Sequence, residues 1–180
     1  MALNKTKKWS LTSIRQLLLL LAAGAILLGG CKIRYSFTGA SISSDVKTAS
    51  IQYFQNRANI VSTGLSQYIT DALIDKCKAQ TSLGIVNGIG DVNFEGEITD
   101  YSSRPQSVGV DAQASTNRFT ISVKVKFTNS VQPNYSYEQT FSRYEDYDSN
   151  SDLSSVEKDL TEKIVDLLVE DIFNKAFVNW

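Results

Sequence analysis

The chain has 180 residues, 18 of them Lys or Arg and 19 of them Asp or Glu, and it contains no histidine. Because histidine is the usual general base near neutral pH and the commonest transition-metal ligand, its absence excludes Ser-His-Asp and Cys-His catalysis and most zinc sites. Every acidic residue follows Cys31, so the chain beyond that point is acidic, which argues against nucleic-acid binding. The length suits one domain, and we expect no cofactor and no metal in it.

The N-terminal segment has the parts of a bacterial secretory signal peptide. The charged residues before Cys31 are all basic: Lys5, Lys7, Lys8 and Arg15. The uncharged apolar run from Leu17 to Leu28 is too short for a transmembrane helix. Residues 28–31, Leu-Gly-Gly-Cys, resemble a lipobox, in which the cysteine thiol takes a diacylglyceryl group. We predict a signal peptide over residues 1–30 and a lipid anchor on Cys31; the alternative is an ordinary cleaved signal.

The segment after Cys31 is predicted to be a tether over residues 31–47, followed by a single domain over residues 48–180. Thr48 to Phe54 is rich in strand-forming residues and predicts a first strand. A helix is predicted next, capped by Ser62 or Thr63. Its apolar stripe recurs with helical period at Leu65, Tyr68, Ile69, Ala72, Leu73 and Cys77. On that stripe Cys77 is expected to be a buried, unpaired small hydrophobe.

Alternating patterns predict three further strands. One face of the segment that begins at Val92 carries Val92, Phe94, Gly96 and Ile98. Residues 102–116 are polar and contain Pro105, so they are predicted to form a loop. The segment Asn117–Asn129 has the strongest alternation in the chain, and its apolar face carries Phe119, Ile121, Val123, Val125 and Phe127. Tyr135–Tyr144 is predicted to return as another strand, and the alternation indicates a sheet with one buried face.

The C-terminal segment predicts a long helix. Ser154 followed by Glu157 has the spacing of a capping box. The inner face is predicted to carry Val156, Leu160, Ile164, Leu167, Leu168, Phe173 and Phe177. The element order is therefore β-α-β-β-β-α, and two amphipathic helices with a half-buried sheet predict an α+β two-layer sandwich.

Four segments of this pattern resemble the LptE family of lipopolysaccharide-assembly lipoproteins: "IQYFQNRA" (51–58), "FEGEITDY" (94–101), "NRFTISVKVKF" (117–127) and "EDIFNKAFVNW" (170–180). The resemblance lies in their joint order over nearly all of the chain after Cys31. It implies two helices on one face of a four-stranded, mostly antiparallel sheet. It also implies a lipid anchor on the periplasmic side of the outer membrane, with lipopolysaccharide and an LptD-like β-barrel as partners. The implied role is to plug that barrel and assist its assembly, without catalysis. Lys32, where an Asp would favour inner-membrane retention, agrees with this location.

A row of cations is the candidate site for lipopolysaccharide. Arg118, Lys124 and Lys126 share one parity on the strand Asn117–Asn129, opposite to its apolar face. They are predicted to bind anionic groups of the lipid. The alternative is an ordinary solvated strand face on which the lysines pair with cross-strand carboxylates such as Glu95 or Glu97.

Three other interpretations remain open. The chain could be a stand-alone lipoprotein that binds a small ligand or a cell-wall fragment. It could also be a hydrolase that uses the carboxylates of Glu95 and Glu97. Finally, one acidic segment has part of the spacing of a calcium loop, at Asp146, Asp148, Asn150, Asp152 and Glu157. Ser151 stands where that loop requires glycine, so a solvated acidic loop is the favoured interpretation.

Overall fold

The structure, a computed structural model, describes residues 42–60, 62–106 and 116–178. The strands are β1 (Thr48–Ile51), β2 (Gln55–Asn56), β3 (Gly84–Ile85), β4 (Val92–Gln106), β5 (Thr116–Asn129) and β6 (Tyr137–Asp148). The helices are α1 (Leu65–Gln80) and α2 (Leu153–Phe177), and a short 3₁₀ turn spans Pro133–Tyr135. The signal peptide, Cys31 and the tether up to residue 41 lie outside the described residues.

The described strands form one six-stranded mixed sheet with the order β3-β1-β4-β5-β6, in which β2 also pairs with β4. The α+β class is confirmed, but the predicted four strands are too few. The strand predicted over Thr48–Phe54 is shorter, because β1 ends at Ile51, and a second short strand, β2, follows the predicted range. Both β1 and β2 run parallel to β4. The long strands β4, β5 and β6 form an antiparallel meander. Helix α1 provides the crossover that returns the chain parallel to β1.

Strand β4 contains a register shift between Ile98 and Asp100 that the alternating pattern did not predict. Ile98 is buried, and the next buried residue of the strand is Tyr101, three positions on rather than two. The shift is typical of a β-bulge. After the bulge, the residues on the polar side of the strand are Asp100, Ser102 and Arg104. The strand then continues through Gln106. The predicted loop over residues 102–116 is therefore wrong for residues 102–106, which belong to β4.

Both helices cover the apolar face of the sheet, and the core lies between the layers. The rings of Phe94 and Phe127 contact each other with centroids 4.8 Å apart, and Phe177 of α2 contacts both. All five predicted apolar residues of β5 are buried. The predicted stripes are correct except at Tyr68 of α1 and Leu167 of α2, which are exposed. Cys77 is fully buried, and burial raises the pKa of its thiol to about 12, so it is an inert core residue.

The helix starts differ from their predicted caps. Gly64, in the left-handed region with φ 86°, precedes α1, and no side chain caps that helix. Asp152 caps α2 by accepting a hydrogen bond from the Ser154 backbone N–H at 3.0 Å, so the capping box that starts at Ser154 is wrong. Neither helix in the described ranges is long and apolar enough to cross a bilayer.

Candidate functional site

The surface of the sheet opposite the helices carries rows of alternating charge. We call it the polar face, and its centre comprises Glu95, Glu97, Lys124, Lys126 and Glu138. In the register of the sheet, Glu95 lies opposite Lys126, and Glu97 lies opposite Lys124. These side chains face solvent because the bulky apolar residues of β4 and β5 alternate with them and occupy the helix side.

The lysines of the polar face both form ion pairs with carboxylates of neighbouring strands. Lys126 Nζ lies 3.1 Å from Glu95 Oε1 on β4, and Lys124 Nζ lies 2.5 Å from Glu138 Oε1 on β6. The hydrogen bond between Lys124 and Glu138 raises the pKa of the ammonium and lowers the pKa of the carboxyl. The structure therefore forms the cross-strand pairs that the sequence suggested as an alternative, with Glu138 rather than Glu97 as the partner of Lys124.

The third candidate cation, Arg118, lies farther along β5 and is also paired. Its Nε and Nη2 donate to the two carboxylate oxygens of Asp146 at 2.8 and 2.9 Å. The guanidinium also stacks on the Tyr144 ring, 3.6 Å from its centroid. Hydrogen bonding to Arg118 lowers the pKa of the Asp146 carboxyl. The three cations share one strand face as predicted, and the structure adds an acidic partner to each.

A cation that the sequence analysis missed lies directly opposite Arg118 on the neighbouring strand. Arg104 of β4 pairs in register with Arg118, and like charges in that position repel. In the part of the chain that the structure describes, Arg104 has no carboxylate partner. A cavity of about 170 Å³ lies beside the two arginines, lined by Asp100, Ser102, Arg104, Gln106, Arg118 and Thr120.

The interpretation of residues 102–116 as a loop concealed Arg104, and that interpretation came from Pro105. In the described sheet, β2 pairs with β4 only at Glu97 and Ile98, so near Pro105 the strand has a ladder neighbour, β5, on one side. A residue without a backbone N–H is tolerated at such an edge. The two-residue spacing of Ser102, Arg104 and Gln106 is the sequence signal that could have placed Arg104 on a strand face.

The described surface also contains two larger cavities. One of about 270 Å³ lies on the polar face, bounded by Gln52, Tyr53, Gln55, Glu95, Gly96, Glu97, Lys124, Lys126 and Glu138. Its charges and amides suit a polar ligand. The other, of about 580 Å³, lies between the first turns of α1 and α2. There the Tyr101 hydroxyl donates to the Glu157 carboxylate, and burial is the main cause that raises the pKa of Tyr101.

The residues with calcium-loop spacing are engaged separately. Asp146 binds Arg118, Asp152 caps α2 and Glu157 accepts from Tyr101. Asp148 accepts from the backbone and side chain of Asn150. Within residues 42–60, 62–106 and 116–178, no three acidic or cysteine side chains converge to hold a metal ion.

The architecture defines the class of protein: two helices on one face of a mixed sheet whose other face is polar and charged. The family model for LptE, described as lipopolysaccharide-assembly, matches residues 46–176, which include all six strands and nearly all of both helices. The chain therefore belongs to the LptE family. A comparison with curated protein sequences finds no match.

Solved structures from several bacteria are similar to this chain. The hypothetical protein CT253 from Chlamydia trachomatis is 7% identical with a TM-score of 0.50, covering 73% of this chain and 98% of its own. A minor lipoprotein from Acinetobacter baumannii is 13% identical (TM-score 0.49), covering 73% and 92%. The uncharacterized lipoprotein B from Nitrosomonas europaea is 14% identical (TM-score 0.49), covering 79% and 87%. At such identities the Chlamydia protein shows a shared fold alone.

Proposed function

We propose that this LptE family member is a lipid-anchored, non-enzymatic subunit of the lipopolysaccharide export translocon. The lipid on Cys31 holds it on the periplasmic side of the outer membrane, where it plugs an LptD-like β-barrel and assists its assembly. The observation that carries this proposal is the family match over residues 46–176. The lipobox at residues 28–31 supports the anchor independently, because it lies outside the matched range.

The arrangement of the carboxylates supports a binding role over a hydrolytic one. Glu95, one of the two carboxylates considered for hydrolysis, is bound to the Lys126 ammonium on an open surface, and its side chain is about half exposed. General acid–base catalysis works best in a site that excludes water and tunes the pKa values of its carboxyls. An open sheet face with paired charges is better suited to binding a polar surface of another molecule than to hydrolysis.

We also propose that anionic groups of lipopolysaccharide bind the row of Arg118, Lys124 and Lys126, with Arg104 beside it. The carboxylates that pair with Lys124 and Lys126 are about half exposed, and exposed ion pairs of this kind contribute little to stability. A phosphate can therefore displace these two carboxylates at little cost. Arg118 can bind phosphate bidentately, as it now binds Asp146, and Arg104 supplies a second guanidinium across the strand.

The partner proposal is tested by purifying the tagged chain from its native outer membrane and identifying co-purified proteins by mass spectrometry. We expect a large β-barrel in stoichiometric amount. The Lys78→Ala/Lys158→Ala/Lys163→Ala variant removes three positive charges from the helices only. It tests whether the barrel still co-purifies when the chain has lost charge away from the polar face. If the chain is recovered from the outer membrane without any barrel, the translocon proposal is wrong, and the stand-alone lipoprotein becomes the better interpretation.

The lipid-binding row is tested with Arg118→Ala/Lys124→Ala/Lys126→Ala and the same helix variant as a control for net charge. We expect the row variant to bind purified lipopolysaccharide several-fold more weakly, with a smaller dependence on salt, while its midpoint of thermal unfolding changes little. Wild-type binding by the row variant would remove these residues from the site. A large loss of thermal stability would show that the cross-strand pairs are structural instead.

A further inference from the structure

One end of the sheet gathers the start of the domain and several loop tips. We call it the proximal end, and it comprises the start of β1, the β3–β4 turn, the β5–β6 turn and the C-terminus of α2. Ala49 of β1 lies in register with Val92 of β4, which itself lies opposite Asn129 of β5. The Ser130 N–H donates to the Asp91 carbonyl at 2.8 Å, which joins the two turns. Phe177 of α2 contacts Phe94 and Phe127 at the same end.

Apolar side chains project from this end into solvent. Ile89, in the β3–β4 turn, is 91% exposed, and Val131 and Val178 are each 38% exposed. Isolated exposed apolar residues are common on protein surfaces. Here, three exposed apolar residues from different parts of the chain all lie at the proximal end.

The turn that presents Ile89 is held by hydrogen bonds and close packing. The Asn93 side chain, 9% exposed, accepts from the Gly90 N–H at 3.0 Å and donates to the Gly90 carbonyl at 2.9 Å. A Cβ at Gly90 would lie 3.1 Å from backbone atoms of Ala49 and Ser50, so the glycine allows the turn to contact β1. A buried amide thus fixes the residue next to Ile89, and the apolar tip is a built feature of the fold.

The position of the lipid anchor indicates what faces this end. This step rests on the proposed lipidation of Cys31. Ile42 follows Cys31 by 11 residues, a reach of at most about 36–40 Å. A turn closed by the Val46 N–H and the Ser43 carbonyl, 3.1 Å apart, keeps Ile42 near the start of β1. The opposite end of β4 lies about 46–48 Å from its start, because its 15 residues are separated by 14 steps of about 3.3–3.4 Å.

We propose that the proximal end contacts the lipid bilayer that holds the anchor, with Ile89 inserted into the interfacial region and Val131 and Val178 beside it. The occupant is a lipid surface, because the short covalent reach brings this end, rather than the opposite end, to the bilayer. Lys47 and Lys175 are exposed at the same end, where they can approach anionic headgroups. Insertion of an apolar tip would then add a second contact to the acyl anchor.

The test places an environment-sensitive nitrobenzoxadiazole label at Ile89→Cys in the lipidated full chain. Asn150→Cys, in the turn after β6 at the opposite end, is the matched control. Buried Cys77 and acylated Cys31 leave the introduced thiol as the labelled group. The probe is a vesicle of phosphatidylethanolamine and phosphatidylglycerol, with and without shallow brominated lipids. At position 89 we expect a blue shift and several-fold stronger bromine quenching than at position 150.

Each outcome has a distinct meaning. Protein that fails to float with the vesicles contradicts the lipid anchor, and the bilayer contact falls with it. Protein that floats while position 89 behaves like position 150 overturns the insertion alone and leaves the anchor intact. If position 89 shifts only after the barrel partner is added, and bromine does not quench it, the tip contacts protein rather than lipid and the proposal is wrong.

Discussion

Gly96 shows how one missing side chain positions the connection between β1 and α1. It lies in β4 on the face of Phe94 and Ile98, and the fully buried Phe54 ring occupies the space beside it. The Phe54 N–H donates to Thr70 Oγ1 of α1 at 3.1 Å, which anchors the same segment to the helix. The sequence placed Gly96 correctly on the apolar face but did not indicate which ring fills its place.

Gly96→Ala is expected to destabilise the protein by about 1–3 kcal/mol, the usual cost of overpacking a core. A Cβ there would lie 2.3 Å from the Phe54 ring, so the ring or the strand must move. The measurement is the free energy of unfolding in urea. Gly88→Ala is the control, because nothing lies within 4 Å of its Cβ position and little change is expected. Equal stability of both variants would contradict the packing described here.

Asp91 links the start of β1 to the start of β4. Its Oδ2 accepts from the Lys47 N–H at 2.8 Å, and from the Thr48 N–H and hydroxyl at 2.9 Å. These hydrogen bonds, that of the Lys47 N–H first, lower the pKa of the carboxyl below its usual 3.8. Because the folded-state pKa is the lower one, the ionised group stabilises the fold above pH 3.8, and the contribution is lost as the pH falls through the folded-state value.

Asp91→Asn is therefore expected to be less stable than the wild type at neutral pH, with a difference that shrinks as the pH falls below about 4. The measurement is urea unfolding across the acid range, with Asp159→Asn, an exposed position on α2, as the control for loss of one charge. A difference between Asp91→Asn and the wild type that stays constant with pH would show that the ionised form is not what stabilises the turn.

At the scale of elements, the start of α2 separates local pattern from structure. The spacing of Ser154 and Glu157 in the sequence predicts a capping box that begins at Ser154. In the structure Asp152 accepts from the Ser154 N–H, and Glu157 is drawn away to Tyr101 of β4. A contact with a residue 56 positions earlier in the chain therefore decides the role of Glu157.

Asp152→Ala should destabilise the protein by about 1 kcal/mol, because the N-cap oxygen and its charge near the positive end of the helix dipole are both lost. Ser154→Ala should change stability by less, since the Ser154 side chain is exposed and does not cap the helix. Thermal unfolding monitored by circular dichroism measures both. A larger loss of stability in Ser154→Ala than in Asp152→Ala would support the predicted capping box instead.

At the scale of the whole molecule, the N-terminal sequence predicts a covalent lipid anchor on Cys31. Cys31→Ser should leave an uncleaved or soluble periplasmic form, because the hydroxyl cannot take the thioether-linked diacylglyceryl group. The measurement is membrane fractionation in cells that lack the proposed barrel partner, because a chain held inside that barrel could stay there without its lipid. If the variant still fractionates with the outer membrane at wild-type level, the lipid anchor is wrong.

The sequence by itself determined which residues face the core. The alternation of β5, most of the two helical stripes and the burial of Cys77 follow from periodicity, because apolar spacing encodes which side of an element is covered. The α+β class followed from the same patterns.

The tertiary structure decided which elements and side chains meet. Four features depend on neighbours distant in the chain: the end of β1 at Ile51 with the separate strand β2 after it, the bulge after Ile98, the extension of β4 through Pro105 and the pairing of Lys124 with Glu138. Periodicity records that a residue is covered or solvated but not by which partner, because register and pairing are set by packing between strands that are separate in sequence.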